Sequence, residues 1–422
     1  MTEPNVYMPF FTAPDPELLR ADTGRDPLGL LPVWGEFGRK LVPVIAGPVS
    51  HLEGIKAVLL IYHTYAVLYA QGDARQAVSL RRHFRLMEGL LEFYLHQTKR
   101  HCYGSRALAS DDFSVRRDDS STAVNGLYQY YRGTCARAEL LQDGALSDQT
   151  AATLAASWDA SVNPALAQVL RDCANNGQRP LAPRQLLCDR PALGRSLDAC
   201  FASPALNQLL FERLFGGPAH HALARHCAAQ RKQSDPASKD LGPVLSLVTR
   251  LRAVLADSEA DDRARELDRQ LEYVTRCEPF LVTVQDGFDL LRNAGGGHLA
   301  DVAARLRPYQ AQIRARARDF RQIDAAAKSA RSRKMLALAA AAADGVPAFL
   351  DAILAHHASV AQERGRDPMV RYEGASILSM SEAERDSAAI LQRLKQGYPW
   401  DNGYYLSTAG NLYEQSELAC RD

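Results

Sequence analysis

The chain has 422 residues, too long for one comfortable core, with 46% hydrophobic and 23% charged content typical of a folded protein. Its formal charge of +1 excludes a global attraction to nucleic acid or membrane, so any such attraction requires local charge separation. Eight scattered cysteines without a C-x-x-C pair read as reduced thiols, mostly small buried hydrophobes.

The opening stretch "MTEPNVYMPFFTAPDPELL" has neither a basic n-region nor an apolar h-region, which predicts no signal peptide and a cytoplasmic protein. The most apolar run, residues 57–70, would rise about 21 Å as a helix, short of the roughly 30 Å hydrocarbon core. It reads as part of a buried helix spanning Leu52 to Tyr69, and no membrane partner is expected. A second helix should follow from an Asp73 cap and end in a dense apolar turn, Leu90 to Leu95, with Lys99, Arg100 and His101 behind it. Residues 104–122 lack helical period and read as a surface loop, followed by a helix through "AVNGLYQYYRGTCARAELL".

Three prolines and two glycines within residues 174–194 mark a candidate lobe boundary, and residues 230–240 a second polar break. The expected organisation is an N-terminal helical lobe (1–175), a helical linker region (176–240), and a long-helix lobe with an aromatic tail (241–422). Beyond residue 240 the helices lengthen. "DSEADDRARELDRQLEYVTR" places acids before bases, as the helix dipole favours, and Pro279 should kink or restart the helix. "NAGGGH" at 293–298 is a flexible stop. No alternating strand run, hairpin signal or fixed-period repeat stands out, so the expected fold class is all-α, in two lobes.

The clearest charge signal is residues 305–334, where ten Lys/Arg face only Asp319 and Asp324, a local charge of +8. Arg307, Arg314, Arg321 and Lys328 recur every seven residues, with Arg318 and Arg331 beside that line. On one helix they would form a basic stripe opposed to Tyr309, Ile313, Phe320 and Ile323. Such a stripe can track phosphates; it can equally be a solvated face, or one paired with the acidic helix at 257–272. Elsewhere, His220, His221 and His226 lack the i,i+4 spacing of a helical zinc pair, so no metal or other cofactor is expected. Arg292 and His298 loosely resemble the Arg…His pair of HEPN ribonucleases, although three glycines between them break the helix that motif expects. No nucleophile elbow, Rossmann fingerprint or P-loop is present, and the expectation leans away from an enzyme.

"DPLGLLPVWGEFGRKLVPVIAGPVSHLEGIKAVLLIYHTY" at 26–65 combines an Asp-x-Leu-Gly start, a Leu-x-Pro before a turn, and an aromatic-rich helix. This block resembles uncharacterised all-helical accessory proteins of bacterial anti-phage defence loci, as do "GLYQYYRGTCARAELL" and "WDNGYYLSTAGNLYEQ". The turn reads "GPVSHLEG" where such proteins carry Thr and Arg. The resemblance implies a component of a defence assembly, working beside other protein subunits, and carries over no catalytic residue.

The tail clusters Tyr398, Trp400, Tyr404, Tyr405 and Tyr413 around an Asn402-Gly403 turn signal. These rings either close the fold or form a patch that binds protein or nucleic acid. The leading expectation is a non-enzymatic helical subunit of a defence complex that binds protein partners, and DNA or RNA through 305–334. Two alternatives stand beside it: a metal-independent ribonuclease using Arg292 and His298, and a purely structural adaptor.

Overall fold

The computed structural model describes residues 26–45, 49, 51–69, 78–100, 113, 126–175, 180–233, 242–257, 262–374, 376–395 and 400–421. Of these, 76% are helical, and the fold is predominantly all-α. In chain order the first elements are α1 (Leu31–Leu41), α2 (Leu52–Tyr69), α3 (Leu80–Gln97), α4 (Leu127–Tyr130) and α5 (Arg132–Arg137). A two-residue-stranded hairpin, β1 (Leu141–Gln142) and β2 (Ala145–Leu146), leads to α6 (Asp148–Ser157) and α7 (Asn163–Asn175). Then follow α8 (Pro183–Asp189), α9 (Pro191–Ala202), α10 (Pro204–Phe215), α11 (Pro218–Gln233) and α12 (Gly242–Asp257). The remainder comprises α13 (Asp262–Arg292), α14 (Leu299–Leu306), α15 (Gln310–Arg321), α16 (Ala330–Asp344), α17 (Val346–Glu363), β3 (Val370–Glu373), β4 (Ser376–Ser379), α18 (Ser387–Leu394) and α19 (Leu406–Arg421).

The chain divides into two compact units with borders other than those expected. One comprises the described residues up to Glu36 together with Glu272–Asn402; the other comprises Phe37–Leu271 and Gly403–Asp422. The proline-rich stretch at 174–194 is no border: α8 begins within it, with Pro183 in its first turn, and packs on α3. Residues 234–240 of the second expected break, Asp73, and the 104–122 loop apart from Phe113 lie outside the described residues.

In the Phe37–Leu271 unit, α2 is enclosed from Leu52 to Thr64, as its all-round apolar sequence requires. The following helix α3 starts later than Asp73, with the Ser79 hydroxyl accepting from the Arg82 backbone N–H. The "GLYQYYRG" stretch is not one helix but two short ones. Glu88 accepts from the Leu127 N–H at 2.7 Å, which holds the entry of α4. Tyr131 is fully buried against Gly54 on α2. A Cβ on Gly54 would lie 2.2 Å from the Tyr131 Cζ, so only glycine admits the ring. Arg132 donates to the Tyr62 hydroxyl at 2.8 Å and covers the Tyr128 ring.

The tail completes this unit. α19 packs on α11 and α10, with Gly410 facing the Cys227 backbone so closely that a Cβ would be 2.7 Å from it. Gln415 accepts from the Leu52 N–H at 2.8 Å, tying α19 to the start of α2. Tyr413 sits among Phe211, Phe215 and His221. The turn ahead of α19 differs from expectation, because Tyr404 and Tyr405, and not Gly403, take positive φ (46° and 61°). Two bulky residues in that region cost about 1–3 kcal/mol each, a strain that burial of the Tyr404 ring offsets.

In the other unit, α13 runs unbroken through Pro279. The lost hydrogen bond costs about 3 kcal/mol, but the helix is sealed on several sides by Phe280, Leu281, Val284 and Phe288, all fully buried. Phe280 meets Phe320 of α15 and Phe349 of α17, with ring centroids 5.0 and 6.2 Å apart. Gly287 lets α17 close in, since a Cβ there would be 2.8 Å from Ile353. The Asp26-Pro-Leu-Gly start docks on α17. His356 bonds the Leu28 carbonyl at 2.7 Å, His357 bonds the Pro27 carbonyl at 2.9 Å, and Asp26 accepts from the Leu30 N–H at 2.6 Å. A strand pair missed in the sequence, β3–β4, is antiparallel with Arg371 opposite Leu378. The glycine stop covers the outer edge of β4: Gly296 donates to the Ile377 carbonyl and the Ile377 N–H donates to Gly297.

Substituting Gly54→Ala should cost about 1–3 kcal/mol by overpacking against Tyr131. Urea unfolding of the variant should show a clearly lower midpoint, and an unchanged midpoint would refute the packing described.

Candidate anion-docking face

α15 forms because "QAQIRARARDFR" is rich in strong helix formers and carries apolar residues at helical spacing. Ile313, Ala317 and Phe320 are buried, and Arg316 goes in with them. The Arg316 guanidinium donates to Thr283 Oγ1 at 2.9 Å and to the Leu394 carbonyl at 3.2 Å, capping the end of α18. Arg314, Arg318 and Arg321, at i, i+4 and i+7, are left on the exposed face. They span about 10.5 Å along the axis. Among the described residues Arg307, Arg314 and Arg321 form no ion pair, and Arg318 only a loose 3.8 Å contact with Asp319.

The single basic helix expected over 305–334 does not exist. Arg307 belongs to a 3-10 turn, Arg307–Tyr309, ahead of α15, and Lys328 to the connection after it. The helix restarts at Ser329, whose hydroxyl accepts from the Ser332 N–H at 3.0 Å. The seven-residue spacing therefore loses its meaning at both ends, since it aligns residues only on an uninterrupted helix. Arg307 and Lys328 are exposed but lie outside α15. Arg331 is structural: it bonds Glu363 at 2.5 Å, and its guanidinium packs over Gly29. The described acids of the 257–272 stretch that form ion pairs have other partners. Asp262, Glu266 and Glu272 pair with arginines of their own helix, and Asp268 with Arg252.

Beside the ridge lies an open groove of about 510 Å³ between α15 and α16. Arg318, Arg321, Gln322 and Asp324 form its polar lip. Leu336, Ala337 and Ala340 of α16 make an aliphatic floor. Gln322 is held from behind by Arg276. The alanine run of α16 was the signal for this trough: side chains that stop at Cβ cannot fill the space beside a ridge of arginines.

The other expected sites resolve differently. Trp400, Tyr404 and Tyr413 are buried, Tyr405 is half-buried against Gly38, and Tyr398 lies outside the described residues. The tail rings serve internal packing. Arg292 donates to Ser381 Oγ at 3.0 Å and to the Glu382 carbonyl at 2.6 Å, while His298 caps α14. Each thus holds the loop and hairpin of its own unit. Among the described residues no group of three or more His, Cys, Asp or Glu converges as a metal site, and no helix is long and apolar enough to cross a membrane.

The buried acids carry no motif or periodic signal in the sequence. Asp286, pushed up to about 7 by burial, meets Arg393 at 3.2 Å, and Arg393 in turn holds Asp401 through two bonds. Glu92 is fully buried with neither carboxylate oxygen hydrogen-bonded, and burial followed by the Glu88 charge pushes it up to about 9. Neither acid lines the groove. Compared with known proteins, the chain matches no family model, no curated protein and no solved structure.

Glu92 stays neutral in the folded chain up to about pH 9, while the unfolded chain ionises it near 4.5. Its burial therefore erodes stability as pH rises through that window. Relative to wild type, Glu92→Gln should gain on the order of a few kcal/mol between pH 5 and pH 8, read as the change in denaturation midpoints; parallel pH profiles would contradict this.

Proposed function

We propose that the chain is a non-enzymatic docking subunit whose α15 ridge receives an anionic partner. The observation that carries this is the ridge itself: three guanidiniums on one exposed face, their own acids not neutralising them, beside a groove. Like charges within about a helical turn or two repel one another, a repulsion that a bound anion relieves. A carboxylate or phosphate would meet planar, bidentate donors there. Arg292 and His298, the residues of the ribonuclease alternative, each hold local structure, and Asp286 is tied into an ion network. The resemblance of the 26–65 block to defence-locus accessory proteins supports reading that partner as another component of such an assembly, in the cytoplasm. The protein partner and the nucleic-acid partner of that reading both offer the required charge.

The variant Arg314→Gln, Arg318→Gln, Arg321→Gln should elute from immobilised heparin at clearly lower salt than wild type. A matched control, Arg263→Gln, Arg265→Gln, Arg269→Gln, removes the same charge elsewhere and should elute near wild type. Equal elution of the two triple variants would defeat the proposal.

A further inference from the structure

We infer that the α15–α16 groove takes an acidic amphipathic helix of a protein partner in preference to nucleic acid, an inference that rests on the docking role just proposed. The groove has two chemistries side by side. Arg318 and Arg321, at i and i+3, stand along one wall, and Leu336, Ala337 and Ala340 form the floor. A phosphodiester backbone has charge for the wall but no apolar surface for the floor. Bases would need a ring to stack on, and none of the lining residues is aromatic. Asp324 on the lip repels phosphate but accepts bonds from a peptide.

A helix with aliphatic residues on one stripe and Glu or Asp on its flank satisfies every part. Its apolar anchors sit on the floor, and its carboxylates, three or four residues apart, meet the two guanidiniums bidentately. Ala337 and Ala340 lie at i and i+3 on α16 and are exposed, so the partner's backbone can approach α16 closely. A groove of about 510 Å³ holds a small cluster of such anchors. The arginine wall also sets orientation, since the partner's acids must lie on the α15 side.

The test measures fluorescence anisotropy of the full chain with a labelled Glu/Leu amphipathic helix of roughly 16 residues. Companion probes are a scrambled peptide of the same composition, a duplex DNA and a single-stranded RNA. The amphipathic peptide should bind at least tenfold tighter than its scramble and tighter than either nucleic acid. Ala340→Trp, which fills the floor at an exposed position, should weaken the amphipathic peptide tenfold or more. Arg318→Glu with Arg321→Glu should abolish peptide binding and lower the salt at which the chain elutes from heparin. Equal binding of the two peptides, tighter nucleic-acid binding, or indifference to Ala340→Trp would overturn the inference and leave the docking role intact. Heparin elution unmoved by the arginine changes would overturn both.

Discussion

A buried carboxylate organises the Glu272–Asn402 unit. Glu278 is fully enclosed on α13, and its oxygens accept from the Trp34 indole at 2.7 Å and from the Asp401 and Asn402 N–H groups at 2.6 and 2.8 Å. A charge removed from water must be met by donors or it costs several kcal/mol. The start of α1 and the segment after α18 are therefore obliged to come to this point. The pattern continues along α13 and just beyond it, with Asp286 holding Arg393, Arg292 holding the 381–382 loop, and Asn293, after the helix end, holding Ala383 and Arg385. Residues 381–395 and 400–402 are laid along α13 by polar contacts, while Ile390 and Leu394 add buried apolar contacts.

That arrangement determines how the docking face is presented. Phe320 is drawn inward by Phe280, and Arg316 by Thr283 of α13 and the Leu394 carbonyl. With those two side chains committed, the rotation of α15 about its axis has no freedom left, and Arg314, Arg318 and Arg321 must point outward. A buried arginine thus orients three exposed ones. Glu363, held near 2 by bonds from Lys334 and Arg331, keeps two further cations of the basic segment occupied in structure. Of the exposed cations that remain along 305–334, Arg318 and Arg321 are the two that line the groove.

Much of the architecture was legible before any tertiary contact. The all-round apolar pattern at 52–69 placed a core helix, and Ile313, Phe320 and Ile323 were marked as the inward side. Pro279 misled because its local cost is small beside the packing of a fully enclosed helix. The β3–β4 hairpin escaped notice because four-residue strands carry too short an alternation, and its outer edge is completed by the distant glycine turn. Tyr404, Trp400 and Tyr413 carried the same residue chemistry that serves binding surfaces, and only their neighbours show that they are core.

By itself, the sequence determined helical class, the central helix and the excess of charge on one segment, because these depend on local periodicity and composition. Which arginines are free was decided only in three dimensions. Ser329 restarts the helix, Glu363 claims Arg331, and Thr283 with the Leu394 carbonyl claims Arg316. Those partners lie 3, 32, 33 and 78 residues away along the chain. A periodic count along the chain cannot register long-range pairing, because a charge's availability depends on what folds against it.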